Sequence, residues 1–178
     1  ACDWIARLYV TVIRGTPVVL QLFICYFVLL TSLRSEKFFN LSDTAGIYVA
    51  IITFGVNSGA YMAEIFRAGI QSVDKGQMEA ARSLGLSYGK SMRKVILPQA
   101  IRTMIPSIIN QFIITLKDTS ILSVIGFPEL VNTAKNVNAN IMRSLEVWFI
   151  VGVMYLIVIT LLSRFAKRME RRLNRGRQ

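Results

Sequence analysis

GIYVAIITFGVNSGAYMAEIFRAGI, residues 46 to 70, is an apolar block long enough to cross a membrane as a helix. A hydrocarbon core about 30 Å thick needs roughly 20 helical residues. Three further blocks stand out on either side: Pro17–Leu33, Met104–Ile125 and Val147–Leu162, the first and last near the minimum length for a span. The predicted fold is an all-α, polytopic transmembrane bundle of at least four spans, forming one domain over residues 1–178. The connecting segments Arg34–Asp43, Gln71–Arg102 and Phe127–Glu146 are rich in charge, Asn, Ser or Gly.

Composition agrees with this division. The chain is 53% hydrophobic, yet it carries 21 Lys and Arg against 10 Asp and Glu, a net charge of +11. Such a charge raises nucleic-acid binding as a possibility, but the basic residues lie between and after the apolar blocks and not among aromatics on a polar face. No nucleic-acid partner is expected. Histidine is absent, and Cys2 and Cys25 are far apart, so neither a metal site nor a disulfide framework is readable. The opening Ala1-Cys2-Asp3-Trp4 has no initiator Met, which suggests that the chain starts partway into a longer protein.

Orientation follows from where Lys and Arg gather, because basic loops stay on the cytoplasmic side. Segment 71–102 holds Lys75, Arg82, Lys90, Arg93, Lys94 and Arg102, and the tail 164–178 holds Arg164, Lys167, Arg168, Arg171, Arg172, Arg175 and Arg177. The other loops hold only Arg34 with Lys37, and Lys135 with Arg143. Both dense segments are therefore expected inside, with the tail attracted to anionic membrane lipid, and residues 1–15 fall on the same side. Trp4 and Trp148, near span ends, suit interfacial anchors.

The long basic loop reads as structured. Asp74 is placed to cap a helix starting near Lys75, Gly85 to end it in the left-handed conformation, and Ser87 to cap a second short helix holding Met92, Val95 and Ile96 before Pro98 interrupts the ladder. Within it, EAARSLGLSYGKSMRKVILP, Glu79 to Pro98, resembles the EAA loop of ATP-binding-cassette (ABC) importer permeases. Glu79, Ala80, Ala81, Gly85, Leu97 and Pro98 stand in the motif's register, and Val95 replaces its Ile. Arg14-Gly15-Thr16-Pro17, Tyr61–Ile70 (YMAEIFRAGI) and Leu116–Ser120 (LKDTS) are similar to the polar amino-acid subfamily of these permeases, whose members typically have one more span at the N-terminus.

The resemblance implies a transport subunit in a bacterial cytoplasmic membrane with its C-terminus inside. Its partners would be a second permease subunit, two ABC ATPase subunits and an extracytoplasmic substrate-binding protein. The loop would be the coupling helix, seated on the ATPase, with small Ala80 and Ala81 permitting close approach and Glu79 as its acidic contact. The chain has no Gly-rich phosphate loop, so ATP and Mg would belong to the partner; it needs no cofactor of its own and is not expected to be an enzyme.

Polar residues inside the spans are costly and often mark a pathway. Asn57, Tyr61 and Glu64 are spaced along one helix face with Ser58 at its border; Gln111, Lys117, Asp118, Thr119 and Ser120 interrupt the third block. A free amino acid needs an acceptor for its ammonium and a donor for its carboxylate, and these nine residues are the candidate substrate contacts. Two bland readings compete: Lys117 and Asp118 neutralise one another, or they pair with Glu64 and Arg67 as glue between helices. Gly46, Gly55, Gly59 and Gly69 suit close helix packing. An ion-coupled carrier or channel, with Lys117, Asp118 and Glu64 as its ion site, is the alternative function.

Overall fold

A computed structural model describes residues 2–34 and 45–174. Residues 35–44, which include Lys37, lie outside the described residues, as do Arg175 and Arg177. Among the described residues eight α-helices form in chain order: α1 (Cys2–Gly15), α2 (Val18–Arg34), α3 (Ala45–Gln71), α4 (Lys75–Ser83), α5 (Tyr88–Ser91), α6 (Leu97–Asp118), α7 (Leu130–Ile141) and α8 (Ser144–Asn174). A π-helical turn, Met92–Ile96, joins α5 to α6, and a 3₁₀ segment, Thr119–Ile125, follows α6.

Among the described residues three helical stretches are long and apolar enough to span a membrane: Gly46–Gln71, Tyr88–Ile125 and Ser144–Met169. The α1–α2 pair, bent by 107°, makes a fourth when taken as one broken span. The block predicted at 17–33 is thus helical, and among the described residues it makes a span together with α1. α8 is a single helix of 31 residues, about 46 Å at 1.5 Å per residue, so it outruns a hydrocarbon core of about 30 Å. The basic residues Arg164, Lys167 and Arg168 sit on this continuation, and the tail expected after Leu162 remains helical to Asn174.

α3 is the axis of the bundle. α6 runs antiparallel to it, the register set where Ser58 meets Thr115 and Ser72 meets Thr103, with hydroxyl oxygens 3.2 and 3.3 Å apart. Near the second of these contacts Gly69 lets the Met104 side chain lie on the α3 backbone, where a Cβ would overlap it. At the opposite end Gly46 receives the Phe127 ring. Gly59 seats the Tyr9 hydroxyl, but nothing closes on Gly55. α2 closes on α3 through Leu22, Val49 and Leu122, with Phe54 and Phe127 around them.

Two further segments outside the predicted spans are helical. Residues 2–15, grouped with the basic segments in the sequence, form a helix laid against α3: Tyr9 donates to the Val56 carbonyl at 2.6 Å, midway along the span. An amphipathic segment of Val, Ile, Leu and Tyr gains more against a helix than free in water. The loop 127–146 also contains α7, capped by Glu129, whose carboxylate accepts from Val131 N and Asn132 N at 2.9 and 2.6 Å. α7 then buries Ala134 against Val147 and Val151 of α8.

Candidate functional site

The segment after α3 folds as a compact knob. Asp74 accepts from Gly76 N at 2.7 Å and starts α4, as its side chain type suggests. At the other end Gly85 has φ +83°. Leu86 N bonds the Ala81 carbonyl at 3.2 Å and Gly85 N the Arg82 carbonyl at 3.0 Å, so the left-handed residue closes the helix with both terminal bonds of a Schellman motif. Ser87 precedes α5 in an extended conformation but makes no side-chain cap; Ser91 donates back to its carbonyl instead, at 3.1 Å.

Pro98 does not break the helix. It lies in the first turn of α6, where a missing N–H is harmless. The chain just upstream widens into the π turn, Leu97 N bonding the Met92 carbonyl five residues back. The third span therefore begins within the knob, upstream of Met104. Such single π turns are frequent at functional positions.

The knob presents Glu79, Ala80, Leu84, Gly85, Tyr88 and Pro98 to solvent, with Leu84 83% exposed. Ala81 is the exception. It is buried, as are Ser91, Ile96 and Ala100, and its small size suits the packing of α4 on the π turn. Leu97 is half-buried.

Five of the nine polar candidates in the spans fall into three groups. Asn57, buried, donates from Nδ2 to Gln21 Oε1 at 3.0 Å. The two hydrogens of Gln21 Nε2 in turn are shared among the Ile13 carbonyl, the Thr16 carbonyl and Thr16 Oγ1 at 2.7, 3.1 and 2.8 Å, which binds the α1–α2 elbow to α3. Ser58 meets Thr115, toward which the buried Gln111 also donates at 3.4 Å. Tyr61 and Glu64 form the third group with Arg14: its guanidinium lies 5.4 Å from the Tyr61 ring centre and 3.3 Å from Glu64 Oε2.

Glu64 has a second cation, Arg67, 2.9 Å from the same oxygen. The register of α3 and α6 sets Asp118 about 13 Å along the helix pair from Glu64, at a rise of 1.5 Å per residue. Pairing of Lys117 and Asp118 with Glu64 and Arg67 is therefore ruled out. Among the described residues neither Lys117 nor Asp118 enters an ion pair, while Thr119 Oγ1 donates to the Leu116 carbonyl at 2.7 Å. Ser120 lies beside Tyr155 of α8.

An apolar groove of about 420 Å³ opens elsewhere, between α1, α2 and α3, lined by Val12, Leu20, Ile24, Ile52 and Val56. Its walls suit hydrocarbon, not a zwitterion. Arg14, Gln21 and Thr115 were missed as site partners; Gln21, a lone amide in an apolar block, was the signal for one of them.

Over residues 1–175 the chain matches the family described as binding-protein-dependent transport system inner membrane component. It belongs to that family. This inner membrane component is 44% identical over 172 residues to the glutamine transport system permease protein GlnP of Escherichia coli (strain K12), covering 95% of this chain and 74% of that one. It is 40% identical over 172 residues to the arginine transport system permease protein ArtQ of Bacillus subtilis (strain 168), covering 96% and 74%. A crystal structure of an amino acid ABC transporter with histidines superposes with a TM-score of 0.85 at 39% identity, over 95% of this chain and 75% of that one. The permease is a transport component and not an enzyme.

Proposed function

We propose that this permease, with a second permease subunit, encloses the translocation path for a polar or basic amino acid, and that a separate pair of ABC ATPase subunits drives it through the knob Asp74–Pro98. The observation that carries this reading is the knob itself. A helix capped at Asp74 and closed at Gly85 is stiff, it is fused through the π turn to the span α6, and it holds Glu79, Ala80, Leu84 and Tyr88 outward as a docking face.

A stiff element continuous with a span transmits displacement, where a loose loop would absorb it. ATP then biases two access states of similar free energy by binding one of them better. Membership of a binding-protein-dependent family supports delivery of the solute by an extracytoplasmic binding protein. The amino-acid class is supported by relatives named for glutamine and arginine transport. The knob and the tail of α8 lie on the cytoplasmic side in this reading, consistent with their basic residues.

Of the candidate contacts, Lys117 and Asp118 suit a zwitterion best, being adjacent opposite charges that form no close ion pair among the described residues. Thr119, Ser120, Ser58 and Gln111 supply neutral donors and acceptors, whereas Asn57, Tyr61 and Glu64 are engaged by Gln21 and Arg14. The test of coupling is Glu79→Lys in the reconstituted assembly. The variant inserts normally and no longer stimulates the ATPase; stimulation at the unmodified level would refute the docking role of the knob.

A further inference from the structure

We propose that Arg14 and Glu64 form a breakable latch that holds α1 against the knob-side half of α3, with Arg67 as the standby partner that keeps Glu64 paired while the latch is open. The proposal rests on the importer reading and adds a moving part to it.

α1 is attached to the rest of the fold in a particular way. A 107° elbow at Gly15–Pro17 separates it from α2, and among the described residues three polar attachments tie it down: Tyr9 to the Val56 carbonyl, Gln21 to the elbow carbonyls, and Arg14 to Glu64. The first two are bonds to backbone carbonyls. The third joins full charges, at the elbow end of α1 and nearest the end of α3 that leads into the knob.

The charge arithmetic of this third attachment permits opening. An ion pair between helices is ordinarily costly to break inside a membrane, because each partner is left alone in low dielectric. Here both departures are provided for. Arg67, three residues along the same helix, already lies 2.9 Å from the Glu64 oxygen that Arg14 approaches to 3.3 Å, so Glu64 keeps a cation when Arg14 leaves. Arg14 keeps the face of Tyr61, 5.4 Å away, as a neutral resting place.

Neither group is sealed. The Arg14 and Glu64 side chains are 42% and 28% exposed, so no repacking of a core accompanies opening. A purely structural clamp needs no second guanidinium on the same carboxylate oxygen. The elbow supplies the hinge: Gly15 has open space where a side chain would lie, and Pro17 interrupts the helix. Movement of the knob displaces the end of α3 that carries Glu64 and Arg67, which is how the motor would reach the latch.

The test uses the whole transporter, permease with its ATPase and binding protein, in lipid vesicles. Cys2 and Cys25 are first replaced by serine, and this parent must show ATP-dependent uptake that Glu79→Lys abolishes; if it does not, the importer reading has failed and not the latch. Arg14→Cys with Glu64→Cys is then bridged by a short bis-methanethiosulfonate, the bridge being verified by mass spectrometry. A locked latch lowers uptake by about tenfold or more, as expected when one of two access states is withdrawn, and a reductant restores it. Full uptake by the bridged protein, or failure of the bridge to form, overturns the latch. Arg67→Ala, with Arg14 and Glu64 intact, slows uptake several-fold without weakening binding-protein docking. Unchanged uptake there removes Arg67 from the device.

Discussion

Gln21 of α2 accepts a 3.0 Å hydrogen bond from Asn57 of α3 while the two hydrogens of its own amide nitrogen face three acceptors in the turn between Ile13 and Thr16. One side chain thus fixes the angle between two helices and their position on a third. A broken helix in a membrane exposes backbone carbonyls that no water can satisfy, and a long amide is a compact way to cover them.

Replacing Gln21 by leucine keeps the volume and removes every one of these bonds. The expected loss of stability is about 1–2 kcal/mol, the range of interhelical hydrogen bonds in membranes. A lower thermal midpoint in detergent checks it, and an unchanged midpoint would show that water or lipid satisfies the elbow.

At φ +83° Gly85 occupies a conformation that side chains other than Asn resist. Gly85→Val is expected to cost roughly 1–2 kcal/mol locally and to loosen the closure of α4. Because strain there changes the shape of the knob and not the spans, insertion survives while stimulation of the partner ATPase falls. Gly85→Asn is expected to retain most of it, and equal damage from both variants would argue against a conformational cause.

The contact between Gly69 and Met104 holds α3 and α6 together close to the knob. Gly69→Leu forces Met104 aside and is expected to cost about 1–3 kcal/mol as overpacking. Met104→Ala in the same protein should recover part of that loss, a coupling readable as a double-mutant cycle in thermal unfolding.

Asp118→Ala tests the substrate path. With no protein ion pair to break, the variant is expected to assemble normally yet lose uptake of a polar amino acid by at least about tenfold, the worth of one charged contact. Uptake unchanged in reconstituted vesicles would make the residue part of the scaffold.

How much of this was legible beforehand depends on the range over which each signal acts. Membrane crossing, the capped start of α4 at Asp74 and its stop at Gly85 were readable because they depend on run length or on bonds within one helical turn. Pro98 misled for a related reason: its cost is local, but the π turn that removes the cost is built by the five residues before it.

By itself the sequence determined that this chain crosses a membrane several times, that its knob is a capped helix, and which family it resembles. Tertiary structure alone decided which polar residues meet. Gln21 and Asn57 are 36 residues apart, and Tyr9 and Val56 are 47 apart; no periodicity within either segment specifies the partner. Ala81 turned inward and α7 folded on α8 for the same reason. A side chain's chemistry is its own, but the neighbour that satisfies it is set by how helices cross, and that crossing is the summed outcome of packing along their whole lengths.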